Sequence, residues 1–118
     1  MNFSSLDFSP EIQKAITACG YEKMTPIQEQ AIVPARRGRD VLACAQTGTG
    51  KTAAFALPIL QQMIDKPKKI EETNTPRALI LTPTRELAEQ LANTIGAYAK
   101  HLPLTIVAAY GGVKISKQ

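Results

Sequence analysis

One eight-residue segment, Ala45–Thr52, constrains the fold of this chain more than any other. It reads Ala-Gln-Thr-Gly-Thr-Gly-Lys-Thr and follows a short apolar run at residues 41–45. A second, longer apolar stretch begins after Gly50, with hydrophobic side chains three or four residues apart. A short apolar run beside glycine-rich residues is typical of a strand buried on both faces of a parallel sheet. The segment therefore predicts a tight turn from a buried strand into a buried helix.

The same segment has the residue types that bind phosphate. It fits the phosphate-loop pattern Gly-x-x-x-x-Gly-Lys-Ser/Thr, except that Ala45 stands where the pattern has glycine. The glycines would let backbone amides converge on phosphate oxygens at the positive end of a helix. Lys51 would reach the β and γ phosphates, and the Thr52 hydroxyl would bind Mg²⁺. The alternative is a glycine-rich turn from strand to helix in which the lysine has no role. The residue pattern, and the strand and helix predicted on either side of it, both favour the phosphate loop.

The order of elements predicts an α/β fold. Helices are expected from Pro10, from Thr25-Pro26, from Gly50 with a kink near Pro58, and from about Thr84. Strands are expected at residues 41–45, 78–81 and 104–109. Alternating strands and helices favour a parallel sheet with right-handed crossovers, and ligands bind such sheets at the carboxyl ends of the strands.

Composition narrows the class of protein. The 118 residues are enough for one domain or part of one, and 44% hydrophobic with 20% charged residues excludes a disordered or fibrous chain. A net charge of +4 is compatible with a polyanionic partner without requiring one. Cys19 and Cys44 are expected to be buried free thiols, which fits a reducing cytoplasm. The longest apolar run, 53–60, is too short to span a bilayer, so no membrane insertion is expected.

Two further segments carry candidate binding residues, and each also has a purely structural interpretation. Thr25 and Gln28 have the spacing of a capping box at a helix start. Residues 82–88, Thr-Pro-Thr-Arg-Glu-Leu-Ala, place Arg85 at the start of another helix, where an anion could meet backbone amides. The alternative for the second segment is simple capping, with Arg85 in solvent.

The chain resembles the DEAD-box RNA helicases in three segments, both in their residues and in their order. These are the segment from Gly20 to Gln28, the phosphate loop and residues 83–88. Phe3, the sequence Gly38-Arg39-Asp40 and the pair Gly111-Gly112 extend the likeness. The resemblance implies a truncated RecA-like P-loop NTPase domain, a parallel sheet flanked by helices, over residues 1–118. That portion would include the Q motif, the P-loop and motif Ia, and would end before the Asp-Glu-Ala-Asp motif.

The resemblance also implies roles for individual residues. Tyr21 would stack on adenine, and Gln28 would read the adenine edge. Lys51 and Thr52 are predicted to be catalytic, and Thr52 is also the predicted ligand to Mg²⁺. The predicted residues for binding ATP or ADP are Tyr21, Thr25, Gln28, Gln46, Thr47, Gly48, Thr49, Gly50, Lys51 and Thr52. The predicted contacts to the RNA backbone, without base preference, are Pro83, Thr84, Arg85, Gly111 and Gly112.

The function implied is the ATP-binding part of an ATP-dependent RNA helicase. Because the acidic motif and the second lobe would lie beyond Gln118, this portion alone is expected to be inactive. Two alternatives stay open: a nucleotide- or RNA-binding module without catalysis, and a DNA helicase portion with a similar loop. An open sheet edge in so short a chain would favour a dimer.

Overall fold

The computed structural model describes residues 2–44, 50–66 and 76–109. Within these ranges the chain forms a single 3-10 turn and four α-helices, each beginning within one residue of its predicted start. The turn is Phe3–Ser5, and the helices are α1 (Pro10–Ala18), α2 (Pro26–Arg36), α3 (Lys51–Asp65) and α4 (Arg85–Tyr98). None of the described helices combines the length and the apolar character that crossing a membrane requires.

The helix starts follow from local residue chemistry. Thr25 and Gln28 form the predicted capping box at α2, and the Thr84 hydroxyl accepts from the Leu87 amide at 3.1 Å at α4. Ser9 occupies the cap position of α1, but its hydroxyl makes no capping bond. Its backbone amide instead donates to Gln61 Oε1 at 2.8 Å, so this residue joins α1 to α3.

One apolar cluster holds the helices together, with α2 packed on α3, α3 on α4, and α1 on α4. Ile12, Ile32 and Leu57 bring one fully buried side chain from each of the first three helices. Phe3 is also buried there, and its backbone amide donates to the Glu22 carbonyl at 2.9 Å. The burial of these side chains is the main stabilising contribution to the described part of the fold.

The predicted strands at 41–45, 78–81 and 104–109, and with them the parallel sheet, are not confirmed by the residues that the structure describes. Positions 41–44, 78–81 and 104–109 have no regular secondary structure, and none of the described backbone hydrogen bonds joins them to a neighbour. Leu42 is 97% exposed and Leu79 is 83% exposed, so the expected burial on both faces is absent there. A strand requires a ladder partner, which an apolar run in the sequence cannot supply by itself.

The prediction that both cysteines are buried is wrong. Cys19 and Cys44 are free thiols, and both are exposed. Cys19 is the C-cap residue of α1, directly before the turn at Gly20, so it lies outside the buried stripe of the helix. Cys44 lies in the exposed segment that was expected to be a strand. A reducing, cytoplasmic location remains a prediction from the sequence.

An ionic cluster ties the N-terminal segment to the ends of two helices. Arg36 at the end of α2 donates to Asp65 Oδ2 at 3.3 Å and to the Asp7 carbonyl at 3.2 Å, and it lies over the Phe8 ring at 5.6 Å. Gln61 Nε2 donates to Asp65 Oδ1 at 2.9 Å. We call Asp7, Phe8, Arg36, Gln61 and Asp65 the Arg36 cluster.

A second arginine caps the end of α3. The Arg77 guanidinium donates to the Met63 carbonyl at 3.2 Å and also to the Lys66 carbonyl. Carbonyls in the last turn of a helix have no partner within the helix and carry partial negative charge. Arg77 satisfies two of these acceptors from a position eleven residues beyond Lys66 in the chain.

Candidate functional site

At the start of α3 a glycine leads directly into a helix, as the phosphate-loop prediction expects for its last residues. Gly50 precedes the helix with a φ of 84°, a left-handed conformation that glycine adopts without strain. Lys51 is exposed and Thr52 is half-buried in the first turn, which contains no acidic residue. An anion approaching this end of the helix would therefore meet amides and a lysine without a competing carboxylate. The candidate residues Gln46, Thr47, Gly48 and Thr49, with Ala45, lie outside the described residues.

Gln28 joins the Q motif to the end of the phosphate loop. The side chain is 4% exposed, and its Oε1 accepts from the Thr25 amide at 2.9 Å. Its Nε2 donates to the Gly50 carbonyl at 3.2 Å, across 22 positions of sequence. The structure thus brings three predicted site residues, Thr25, Gln28 and Gly50, into one contact group.

A side chain at position 50 would displace the Gln28 amide. A Cβ placed on Gly50 would lie 2.3 Å from Gln28 Nε2 and 3.3 Å from Thr25 Oγ1. The first distance is far below van der Waals contact, so the amide would have to move. Glycine at this position is consequently favoured both by its φ and by the close approach of the Gln28 amide.

Capping does not exhaust the hydrogen-bonding capacity of Gln28. A side-chain amide has two N–H donors and two acceptor lone pairs, and the contacts to Thr25 and Gly50 use one of each. One donor and one acceptor remain, the pair with which glutamine amides recognise the N7 and N6 positions of adenine. The two interpretations of Gln28 are therefore compatible, and the residues present fit an adenine nucleotide.

Tyr21 belongs to an aromatic cluster with Phe3 and Tyr98. The Phe3 and Tyr21 rings are stacked, with centroids 5.9 Å apart and planes 26° apart. The Tyr21 hydroxyl lies 3.1 Å from the Tyr98 hydroxyl at the end of α4. Burial, and then the hydrogen bond with Tyr21, raise the pKa of Tyr98 well above its ordinary value. Tyr98 follows Leu91 and Ile95 at helical spacing, which indicates a core residue. Nothing in the sequence indicates its contact with a residue 77 positions away.

The predicted RNA contacts lie at the other end of α4. Pro83, Thr84 and Arg85 are exposed, and the Arg85 side chain approaches Glu86 Oε1 at 4.0 Å. The Thr84 cap matches the structural alternative for this segment, while the exposure of all three residues leaves them accessible to a ligand. Gly111 and Gly112 lie outside the described residues.

Metal binding would depend on Thr52 and on the nucleotide itself. The described ranges contain no group of three or more His, Cys, Asp or Glu side chains placed to hold a metal ion. Mg²⁺ commonly keeps several waters and takes few protein ligands when phosphates supply the others. The Thr52 hydroxyl, in the first turn of α3 beside Lys51, fits that mode of binding.

A family comparison assigns the chain as a whole. The family model for DEAD/DEAH box helicases matches residues 25–118. The chain belongs to the DEAD/DEAH box helicase family. The matched range starts at Thr25 and covers the contact between Gln28 and Gly50, whereas Phe3 and Tyr21 precede it.

Curated members of the DEAD/DEAH box helicase family align with nearly the whole chain. The ATP-dependent RNA helicase SrmB of Escherichia coli is 49% identical over 94% of this chain, which spans 24% of SrmB. The DEAD-box ATP-dependent RNA helicase RhpA of Helicobacter pylori is 43% identical over 99% of the chain, which spans 22% of RhpA. The chain therefore corresponds to a quarter or less of the length of these relatives.

Solved structures of DEAD-box helicases follow the same backbone path. The RNA helicase Prp28 from Chaetomium thermophilum, bound to ADP, superposes on 99% of the chain with a TM-score of 0.88 and 36% identity. A DEAD box protein from Methanococcus jannaschii superposes on 99% with a TM-score of 0.85 and 40% identity. The chain covers 28% and 31% of those two chains. Its structural neighbours are thus RecA-like domains of DEAD-box helicases, although the described residues form no strand.

Proposed function

We propose that this chain is the ATP-binding portion of an ATP-dependent RNA helicase that unwinds or remodels RNA duplexes. The observation that carries the proposal is the 3.2 Å contact between Gln28 Nε2 and the Gly50 carbonyl. It connects the candidate adenine-reading amide to the turn from which Lys51 and Thr52 project. The names of SrmB and RhpA support the assignment to RNA, as does the presence of Arg85 in the Pro-Thr-Arg-Glu-Leu-Ala segment.

Each residue of the proposed site has a chemical role. Gln28 pairs with the adenine edge through its remaining donor and acceptor, and Tyr21 stacks on the base. Lys51 neutralises charge on the β and γ phosphates, and bound Mg²⁺ supplies further charge stabilisation. Thr52 provides the protein ligand to the ion. Gln46, Thr47, Gly48 and Thr49 complete the phosphate contacts in this proposal.

RNA binding in the proposal is independent of sequence. Arg85 and the amides around Pro83 and Thr84 suit phosphate oxygens, which position an RNA without reading its bases. Gly111 and Gly112 would add backbone contacts. By itself the chain would bind nucleotide and RNA without turnover, because phosphoryl transfer also needs the carboxylates of the acidic motif. The stand-alone module and the DNA helicase portion remain alternatives that the experiments below separate.

The nucleotide site is tested by titrating a ribose-labelled fluorescent ADP into the chain and competing it with ATP and GTP. We expect ATP to compete better than GTP, and Lys51→Ala to weaken binding at least tenfold. Lys100→Ala, which removes another exposed lysine, is the matched control and should change nothing. Equal competition by ATP and GTP would contradict the role of Gln28 in recognising adenine.

Capping and adenine recognition by Gln28 are separated by Gln28→Glu. Glutamate can still accept from the Thr25 amide in the capping box, but it has no N–H donor for Gly50 or adenine. We expect the preference for ATP over GTP to disappear in this variant while α2 remains folded. Gln30→Ala, on the exposed face of the same helix, is the control. A retained preference in Gln28→Glu would assign the residue to capping alone.

The RNA part of the proposal is tested with single-stranded RNA and DNA of equal length and mixed sequence. The names of SrmB and RhpA lead us to expect RNA to bind in preference to DNA. The phosphate contacts should make the affinity fall as salt rises, and Arg85→Ala should weaken it. Equal binding of DNA would favour the DNA helicase alternative. RNA-stimulated ATP turnover by residues 1–118 would contradict the proposed inactivity of the chain by itself.

Self-association is a further proposal for the chain in solution. Leu42 and Leu79 are almost fully exposed, and Leu81 and Val107 are also exposed. Exposed aliphatic side chains in such number are a common basis of protein association. This support differs from the open sheet edge expected from the sequence, because the described residues contain no strand.

A further inference from the structure

The hydroxyl of Tyr98 is unexpected because it lies among the apolar side chains of the helices. Tyr98 is 1% exposed and its ring belongs to the apolar cluster of the helices. A phenylalanine would fill nearly the same volume without bringing a polar atom into the core. Buried tyrosine hydroxyls are normally hydrogen-bonded, and here the partner is the Tyr21 hydroxyl at 3.1 Å.

Tyr21 is the side chain that this bond would restrain. The residue is 38% exposed, so part of it remains accessible to a ligand. One ring contact is the stacked Phe3, and the second is the tilted Tyr98 ring, with centroids 6.1 Å apart and planes 59° apart. Rotation of the Tyr21 side chain about its first torsion would move its hydroxyl away from Tyr98. The hydroxyl pair therefore opposes that rotation, while Phe3 restricts tilting of the ring.

We propose that Tyr98 is a positioning residue for adenine, because its hydroxyl holds the Tyr21 ring in the orientation on which the base stacks. The inference rests on the proposed function, in which Tyr21 stacks on the base of an adenine nucleotide. Tyr98 itself acts only through Tyr21. A ring that is already oriented loses less rotational freedom when the base binds, so the hydrogen bond between the two tyrosines strengthens nucleotide binding.

The test is a double-mutant cycle of Tyr98→Phe and Tyr21→Phe, read out by the affinity for ADP and for inorganic tripolyphosphate. Tripolyphosphate has no base, so its binding reports on the phosphate contacts alone. Both single substitutions keep the aromatic ring and remove only an oxygen. Ile95→Val, one turn earlier on the buried face of α4, is the control for a small change in the core of the same helix.

We expect Tyr98→Phe to weaken ADP binding about three- to tenfold, the range expected for loss of one ordinary hydrogen bond. Binding of tripolyphosphate should not change. Tyr21→Phe should have a similar effect, and the double variant should be no weaker than either single variant, because all three lack the same bond. Ile95→Val should bind ADP like the original chain.

Three results would overturn the inference. If Tyr98→Phe binds ADP as tightly as the original chain, the hydroxyl has no positioning role. The proposed function would still stand in that case, because the original chain binds adenine nucleotide. Equal weakening of ADP and tripolyphosphate would indicate a general structural effect of the substitution. Failure of the original chain to bind ADP at all would remove the proposed function and, with it, the role of Tyr98.

Discussion

Gly50 is subject to two separate constraints, one from its own backbone and one from a neighbouring side chain. Gly38 has a similar φ, 77°, but a Cβ at that position would meet nothing within 4 Å. Gly38→Ala should therefore destabilise the chain only by the left-handed strain, about 1–2 kcal/mol. Gly50→Ala should be worse by a further 1–3 kcal/mol or so, because its Cβ displaces the Gln28 amide. Urea unfolding of the two variants measures the difference.

The clash at Gly50 can also be relieved deliberately. In the double variant Gly50→Ala with Gln28→Ala, the added Cβ no longer meets the amide, so the extra loss of stability should disappear. The loss that remains should be close to the sum of the left-handed strain and of the loss in Gln28→Ala alone, which removes the hydrogen bonds to Thr25 and to Gly50. Equal destabilisation by Gly50→Ala and Gly38→Ala would show that the Gln28 amide moves aside without cost.

The tyrosine pair should respond asymmetrically to removal of either hydroxyl. Tyr21→Phe leaves the Tyr98 hydroxyl in the core without its partner, which should cost about 1–3 kcal/mol of unfolding free energy. Tyr98→Phe leaves the hydroxyl of the more exposed Tyr21, which can turn to water, so its cost should be smaller. Thermal melting without nucleotide measures both. A larger loss in Tyr98→Phe would contradict the assignment of Tyr98 as the buried partner.

Contacts between residues close in sequence were predictable, and those between distant residues were not. The Thr25 and Gln28 capping box follows from a three-residue spacing. The contact of Gln28 with Gly50 was not predicted, because a periodic pattern carries no information across 22 residues. Tyr98 was missed as a partner of Tyr21 because an aromatic residue on an apolar helix stripe indicates burial and nothing about its hydroxyl.

Among the elements, the helices were predicted well because their start signals are local. Pro10 and Pro26 stand at first helical positions, and Thr84 caps α4 through its own hydroxyl. Pro34 and Pro58 lie inside α2 and α3, which both extend beyond them. Strands depend on partners elsewhere in the chain. The apolar runs at 41–45 and 78–81 therefore predicted strands that the described residues do not form.

The Arg36 cluster connects three elements, and its stability should depend on pH. The Gln61 hydrogen bond first, and the nearby Arg36 charge, lower the pKa of Asp65 in the folded chain. A lowered folded pKa means that the stabilisation is fully present above the unfolded value, near 4, and is lost as pH falls through the folded value. Melting temperature should therefore fall below about pH 4 more steeply in the original chain than in Asp65→Asn.

The comparison with Asp65→Asn needs one control. Asp7 is almost fully exposed in its side chain and lies 3.6 Å from Arg36, so Asp7→Asn removes a carboxylate of the same cluster that solvent screens strongly. Its pH dependence should match that of the original chain. Identical curves for Asp65→Asn and the original chain would show that the carboxylate contributes nothing to holding α2 and α3 together.

For the whole molecule, exposed aliphatic side chains predict association that increases with concentration. Light scattering should show a mass above that of the monomer, and Leu79→Lys with Leu81→Lys should lower it by adding charge to an exposed apolar segment. Gln90→Lys with Asn93→Lys adds the same charge on exposed positions of α4 and is the control. A strictly monomeric original chain at high concentration would contradict the prediction.

Family membership was predictable for the whole molecule because several motifs appear in a fixed order. The prediction of phosphate binding followed from residue types alone. The predictions of adenine recognition and RNA binding came only from the family resemblance. The parallel sheet was expected from the alternation of elements. The structural neighbours support the RecA-like domain, and the described residues do not show the sheet.

The cap that Arg77 forms on α3 bears on how long the chain between the end of α3 and Arg77 can be. The Arg77 guanidinium donates to the carbonyls of Met63 and Lys66, so it holds residue 77 beside the end of α3. Lengthening a closed loop costs little, about 0.6 kcal/mol for each doubling. We therefore expect an epitope or a fluorescent peptide inserted between Lys66 and Arg77 to leave α3 in place as long as Arg77 is kept.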